Sequence, residues 1–266
     1  SFQFTNAISG YPVCSPYRAA LLTGQYPLRH GMLANDQKII SNPVGFGEAF
    51  ARAGYRTAYI GKWHLELHDR AAPIPQSNRL GFQFWRAYGC CHNYNKSTYY
   101  ADDETEKRCW EGYDAMAQAQ EAGRFIREQA GDNSPFALML SWGPPHHPYH
   151  MAPERFRAMY DAEAIQLRPN VPAETAQRAR QNLAGYYAHV SALDECFAVV
   201  LNALESAGVA DNTIVVLTSD HGDMLGSQGR WYKQWPWEES VHVPFLLRWP
   251  AGLGKAPRSS RTPIDA

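Results

Sequence analysis

No stretch of this 266-residue sequence is apolar for long enough to span a membrane, because its apolar runs are strand-sized and interrupted. Charge of either sign is not in excess: 25 Lys and Arg against 26 Asp and Glu leave a formal charge of -1, which excludes a general attraction to nucleic acid or to anionic lipid. Cysteine is sparse, and Cys14, Cys90, Cys91, Cys109 and Cys196 show no metal-ligand spacing. Their odd number leaves at least one unpaired if disulfides form, with Cys14 the natural candidate; Cys90 or Cys91 could pair with Cys109 or remain reduced. The ends also lack punctuation. The chain opens on Ser1-Phe2-Gln3-Phe4 without an initiator methionine or a basic-then-apolar leader and stops at Ile264-Asp265-Ala266, so it reads as a piece of a longer protein. What is present is 45% hydrophobic residues, ample for a sizeable core at this length.

The most informative stretch is Cys14-Ser15-Pro16-Tyr17-Arg18, followed by the apolar Ala19-Ala20-Leu21-Leu22 and Thr23-Gly24. Pro16 suits a first helical turn, and the free N–H groups at a helix start lower a thiol pKa or hold an oxyanion. Arg18 adds a planar cationic fork suited to the same anion. The plainer alternative is a small buried cysteine beside a surface arginine.

Elsewhere the chain alternates helix and strand, the rhythm of an α/β fold whose ligands sit at the carboxyl ends of strands. Helical spacing of Phe46, Ala49, Phe50 and Ala53 predicts a helix ending at Gly54, before a short buried strand, Thr57 to Ile60, that runs into Gly61-Lys62-Trp63-His64-Leu65. In an extended segment Lys62 and His64 project to the same side. Residues 70–112 show no sustained period and read as a loop-rich insert. Its Trp85, Tyr88, His92, Tyr94, Asn95, Tyr99, Tyr100 and Trp110 are each as consistent with loop packing as with lining a sugar site. Tyr113 to Gln129 predicts an amphipathic helix, and Pro135 to Trp142 a central strand opening into Gly143-Pro144-Pro145-His146-His147-Pro148-Tyr149. Pro172 to Gly208 predicts one long helix or two in series, in which His189 and Asp194 read as solvated or N-terminal-face residues without a chemical role. Thr213 to Ser219 is the clearest strand, ending in Asp220-His221-Gly222-Asp223, where a carboxylate beside an imidazole suits metal coordination.

Taken together, these motifs resemble the type I sulfatases. The run Y-P-V-C-S-P-Y-R-A-A-L-L-T-G resembles their C-x-P-x-R signature with its T-G pair, G-K-W-H-L their second signature, and P-P-H-H-P-Y, D-H-G and the later Lys233 their remaining site positions. The resemblance implies an alkaline-phosphatase-like α/β/α sandwich with a largely parallel central sheet, spanning residues 1–266 as a partial catalytic domain. It further implies hydrolysis of an organic sulfate ester, for which the aromatic insert suggests a sulfated carbohydrate. By the same resemblance Cys14 is converted by a formylglycine-generating enzyme to formylglycine, the nucleophile. Arg18 and Lys62 steady hydrate and sulfate, His64 removes a proton to release sulfate, and His146 or Lys233 protonates the leaving oxygen, with His147 in reserve for His146. Asp220 and His221 would hold Ca2+ or another divalent cation, beside an aspartate pair expected upstream of residue 1. His221 stands where many members carry Asn, which leaves open a formylglycine-dependent phosphonate monoester or phosphodiester hydrolase. A noncatalytic anion-binding homologue is the third reading. Family habit implies a periplasmic or secreted location.

Overall fold

The computed structural model describes residues 1–65, 69–132 and 134–266. In chain order its main elements are strand β1 (Phe2–Phe4), helices α1 (Cys14–Thr23) and α2 (Phe46–Arg52), strands β2 (Arg56–Lys62), β3 (Phe84–Tyr88), β4 (Thr98–Ala101) and β5 (Arg108–Cys109), helix α3 (Asp114–Gly131), strand β6 (Phe136–Ser141), helix α4 (Ala176–Ser206), and strands β7 (Val215–Thr218), β8 (Phe245–Arg248) and β9 (Arg258–Ser260).

The larger sheet has the order β5-β4-β3-β2-β6. Strand β2 runs parallel to both β3 and β6, whereas β4 and β5 add antiparallel at the edge. Six of the seven β2 residues are buried, as expected of a parallel strand covered on both faces. Its alternation divides the core into two layers. Ala58 and Ile60 pack with Phe84, Ala122 and Phe125 under α3, and Tyr59 packs with Trp85, Trp63, Phe82 and Leu22 on the α1 and α2 side. Phe125 and Ile126 of α3 are each 1% exposed, so each contributes roughly 1.5–3 kcal/mol of apolar burial.

Three particulars differ from the sequence reading, and a fourth resolves an alternative it left open. Pro135 to Trp142 does form a strand, but β6 lies at the sheet edge rather than its centre, because β7, β8, β1 and β9 form a second sheet of their own. The insert at 70–112 is looped over much of its length yet carries β3, β4 and β5, with Trp85, Tyr88, Tyr94, Tyr100 and Trp110 buried as packing residues. The long helix is continuous through Gly185; a Cβ there would stand 2.6 Å from the Tyr149 carbonyl oxygen, so this glycine permits a close approach. His189 is fully buried between the Tyr113 hydroxyl at 2.8 Å and the Pro148 carbonyl at 3.3 Å, not solvated, while Asp194 is exposed as expected. All five cysteines are free.

Candidate active site

Helix α1 begins at Cys14, and its N-cap Val13 is extended with no side-chain cap. The Ser15 amide is instead satisfied by the Asn35 side-chain oxygen at 3.0 Å. Cys14 is thereby buried at the positive end of a helix, 1% exposed, facing the carboxyl end of β2. Lys62 Nζ reaches its sulfur at 3.7 Å and His221 Nε2 at 3.3 Å. Burial pushes the thiol up, but the Lys62 ammonium and the neighbouring imidazoles outweigh it, and the thiol sits well below its ordinary value.

Arg18 lies one turn further along α1. Its Nη1 donates to the Lys62 carbonyl at 2.9 Å and to Ser141 Oγ at 2.5 Å, and its Nη2 pairs with Asp220 Oδ2 at 3.1 Å. The Lys62 carbonyl also accepts from Tyr59 Oη at 2.6 Å and Ser141 Oγ at 2.9 Å, so one backbone oxygen ties α1, β2 and β6 together. Arg18 therefore acts first as the brace of this junction and the counter-ion of Asp220. Ser141, Tyr59 and Asn35 belong to no motif that the sequence announces.

Lys62 and His64 do meet at Cys14, though not by strand alternation. β2 ends at Lys62 and His64 takes a left-handed backbone, φ 58°, with its ring close enough to interact with the thiol although neither buried ring nitrogen has a hydrogen-bond partner among the described residues. Burial holds the His64 imidazole below its ordinary value, with contact to Cys14 pulling the other way, so the ring is neutral at neutral pH and able to accept a proton.

From the other sheet, β7 delivers Asp220 and His221. Burial opposes the Asp220 charge, yet His221, Arg18 and Lys62 outweigh it and hold the carboxylate well below its usual range. His221 Nδ1 donates to the Gly222 carbonyl at 2.8 Å, which fixes the ring and turns Nε2 inward, 3.7 Å from Asp220 Oδ1. Burial lowers this imidazole but the Asp220 carboxylate raises it further, and the net direction is up. Cys14, Asp220 and His221 bring a ligand atom each within 4.8 Å of one another. One carboxylate oxygen and one oriented imidazole nitrogen fit a divalent cation as part of a ligand set.

The loop after β6 brings in His146, whose Nε2 lies 2.5 Å from Lys233 Nζ. Burial first, then the charges of Lys62 and Lys233, hold His146 far below its ordinary value. His147 stands beside it, ring centroids 4.2 Å apart, and contacts Tyr232. His92 of the insert stacks on the His146 ring, centroids 4.6 Å apart. All eight motif residues thus gather at one place: Cys14, Arg18, Lys62, His64, Asp220 and His221 around the thiol, His146 and Lys233 as a pair beside them.

Comparison with known proteins identifies the family and the fold. The chain is 43% identical over 255 residues to an ulvan-active sulfatase of Formosa agariphila, covering 95% of this chain and 50% of that protein. It is 28% identical over 288 residues to an endo-4-O-sulfatase of Bacteroides thetaiotaomicron, covering 95% of this chain and 56% of the relative. The chain therefore spans about half the length of the curated relatives it matches. The solved structure of sulfatase yidJ from Bacteroides fragilis superposes with a TM-score of 0.93 at 31% identity, over 99% of this chain and 63% of that one. The fold is thus the alkaline-phosphatase-like fold of sulfatases. Since the family model described as Sulfatase also matches residues 1–266 throughout, the chain belongs to the sulfatase family.

Proposed function

We propose that the protein containing this chain is a sulfuric ester hydrolase that removes sulfate from a sulfated carbohydrate, through a formylglycine made from Cys14 by a formylglycine-generating enzyme. The observation that carries this reading is the burial of Cys14 at the start of α1 with Lys62, His64 and His221 all turned toward its side chain. A mere anion pocket has no need of an oxidisable cysteine at its centre. The carbohydrate class is supported by the similarity to ulvan-active and endo-4-O-sulfatases.

In this reading one hydroxyl of the hydrated aldehyde at position 14 gives up its proton to water, and its oxygen attacks sulfur as the bond from sulfur to the sugar oxygen breaks. The leaving oxygen keeps the electron pair and takes one proton from the Lys233–His146 pair. His64 then accepts the proton of the remaining hydroxyl, so that the bond to sulfate breaks and the aldehyde returns. Lys62 neutralises the sulfate oxygens, and Arg18 keeps Lys62 and Asp220 in register. Asp220 and His221 would hold a divalent cation, Ca2+ or a softer ion given the nitrogen donor, which when bound supplies Lewis acidity to the sulfate. The same reading places the protein in the periplasm or outside the cell.

The second reading, a phosphonate monoester or phosphodiester hydrolase, rests on His221 in place of an oxygen donor. Relative kcat/KM on matched aryl sulfates and aryl phosphonates, measured on the full-length protein, decides between them. A sulfate preference is expected, lost on Cys14→Ala. A phosphonate preference overturns the sulfatase reading, and binding of sulfate esters without turnover by the modified protein overturns both in favour of an anion-binding homologue.

A further inference from the structure

The insert supplies two residues to which the chemistry above gives no task. Tyr94 is completely buried, and its hydroxyl reaches the carbonyl oxygens of both His146 and His147, at 2.8 and 3.0 Å. Its ring passes over Gly143, where a Cβ would stand 2.8 Å from Tyr94 Cε1, so the glycine that opens the loop is what admits the ring. Its own carbonyl accepts from the Asp114 amide at 2.8 Å, anchoring Tyr94 to the start of α3. The site loop is thereby pinned to a helix rather than left to its own backbone.

The consequence falls on the His146 ring. Its Nδ1 lies 2.9 Å from the His147 carbonyl, and because a carbonyl only accepts, Nδ1 must carry the proton. Nε2 then presents its lone pair to the Lys233 ammonium at 2.5 Å. The carbonyl that fixes this tautomer is one of the two that Tyr94 holds. His92 covers the ring face, nearly parallel at 19° with centroids 4.6 Å apart, and blocks rotation away from Lys233.

We propose that Tyr94 and His92 are positioning residues that hold His146 as its Nδ1–H tautomer with Nε2 on Lys233, and so aim the Lys233–His146 pair at the leaving oxygen. This rests on the role assigned to that pair in the proposed hydrolysis. Neither residue touches the reacting atoms; each acts through His146.

A leaving-group series separates positioning from a structural role. On the full-length protein, kcat/KM is measured for aryl sulfates whose phenols span a range of acidity. A nitrophenolate departs without a proton, whereas a weakly acidic phenol needs one. Tyr94→Phe, which keeps the buried ring, is expected to lose about 10- to 100-fold on the least acidic phenol and under about 3-fold on 4-nitrophenyl sulfate. Gly143→Ala, which displaces the Tyr94 ring, and His92→Ala are expected to steepen the dependence in the same sense, and His92→Phe to restore it by keeping the stacked face. Should Tyr94→Phe fail to fold, the Gly143 and His92 variants decide. Losses uniform across the series, or equal losses in His92→Ala and His92→Phe, overturn the proposal. If the wild-type protein prefers aryl phosphonates, the sulfatase reading fails separately and the same series run on phosphonates still tests the clamp.

Discussion

Gly61→Ala probes the junction on which the site is hung. Gly61 pairs with Ser141 in the parallel ladder between β2 and β6, in a left-handed conformation at φ 104°. A Cβ there would stand 2.1 Å from the Ser141 carbonyl oxygen, well inside any real contact. The backbone conformation alone costs a side-chain-bearing residue about 1–3 kcal/mol. Relieving the contact opens the two strands by roughly 1 Å and weakens at least one ladder hydrogen bond, about 1 kcal/mol more. The expected loss of stability is therefore about 2–4 kcal/mol. Function suffers further, because the next residue is Lys62, whose carbonyl gathers Arg18, Ser141 and Tyr59 and whose ammonium faces position 14. A displacement of that size at the reacting centre lowers turnover by about 100-fold. Urea unfolding gives the first quantity and steady-state kcat/KM of the full-length protein the second. Gly24→Ala is the control: its φ is also positive, 63°, but no atom lies within 4 Å of the added Cβ, so only the conformational cost of about 1–2 kcal/mol applies and activity stays within about 2-fold. Equal destabilisation by the two substitutions, with activity unchanged in both, would refute the reasoning.

Two further outcomes are expected. Ser141→Ala removes a hydroxyl that accepts from Arg18 and donates to the Lys62 carbonyl; with Arg18 Nη1 still bonded to that carbonyl, the cost is about 1–3 kcal/mol in urea unfolding, and a cost under about 0.5 kcal/mol would show that the hydroxyl braces nothing. For His189, burial holds the folded-state value at about 4 against an ordinary 6.5. The ring is neutral in the fold and protonates more readily unfolded, so its stabilisation is complete above pH 6.5 and is lost as pH falls toward 4. At about 1.36 kcal/mol per pH unit, the loss in that window approaches roughly 3 kcal/mol. The difference in unfolding free energy between wild type and His189→Gln should shrink by that order between neutral pH and pH 4; a difference independent of pH contradicts a buried neutral His189.

Outside the insert most helices and strands were legible in the sequence, as were the motifs themselves, because both rest on local pattern. The short apolar run of β2, the β-branched run of β7 and the 3.6-residue spacing of α3 announce themselves, and the Lys62, His146 and Asp220 motifs follow strand ends, where an α/β fold presents its chemistry, while Cys14 opens a helix. What local pattern does not carry is which residues meet from far apart. Ser141 and Tyr59 bracing one carbonyl, or Tyr94 rising from the insert to hold His146, depend on register and on a missing Cβ at Gly143. The same limit explains the aromatic insert. Tyr88, Tyr94 and Trp110 have composition that suits a sugar platform, but the hydrophobic effect placed them inside, against the sheet and α3. Lys62 and His64 illustrate the reverse case: alternation would set them on one side, but the backbone turns left-handed at His64 instead.

The central claim is that Cys14 becomes the nucleophile as an aldehyde. Its most direct test is a peptide mass spectrum across residue 14 of the full-length protein, expressed with a formylglycine-generating partner beside a control sulfatase. The account predicts an aldehyde in place of the Cys14 thiol; an intact thiol where the control is converted would contradict it.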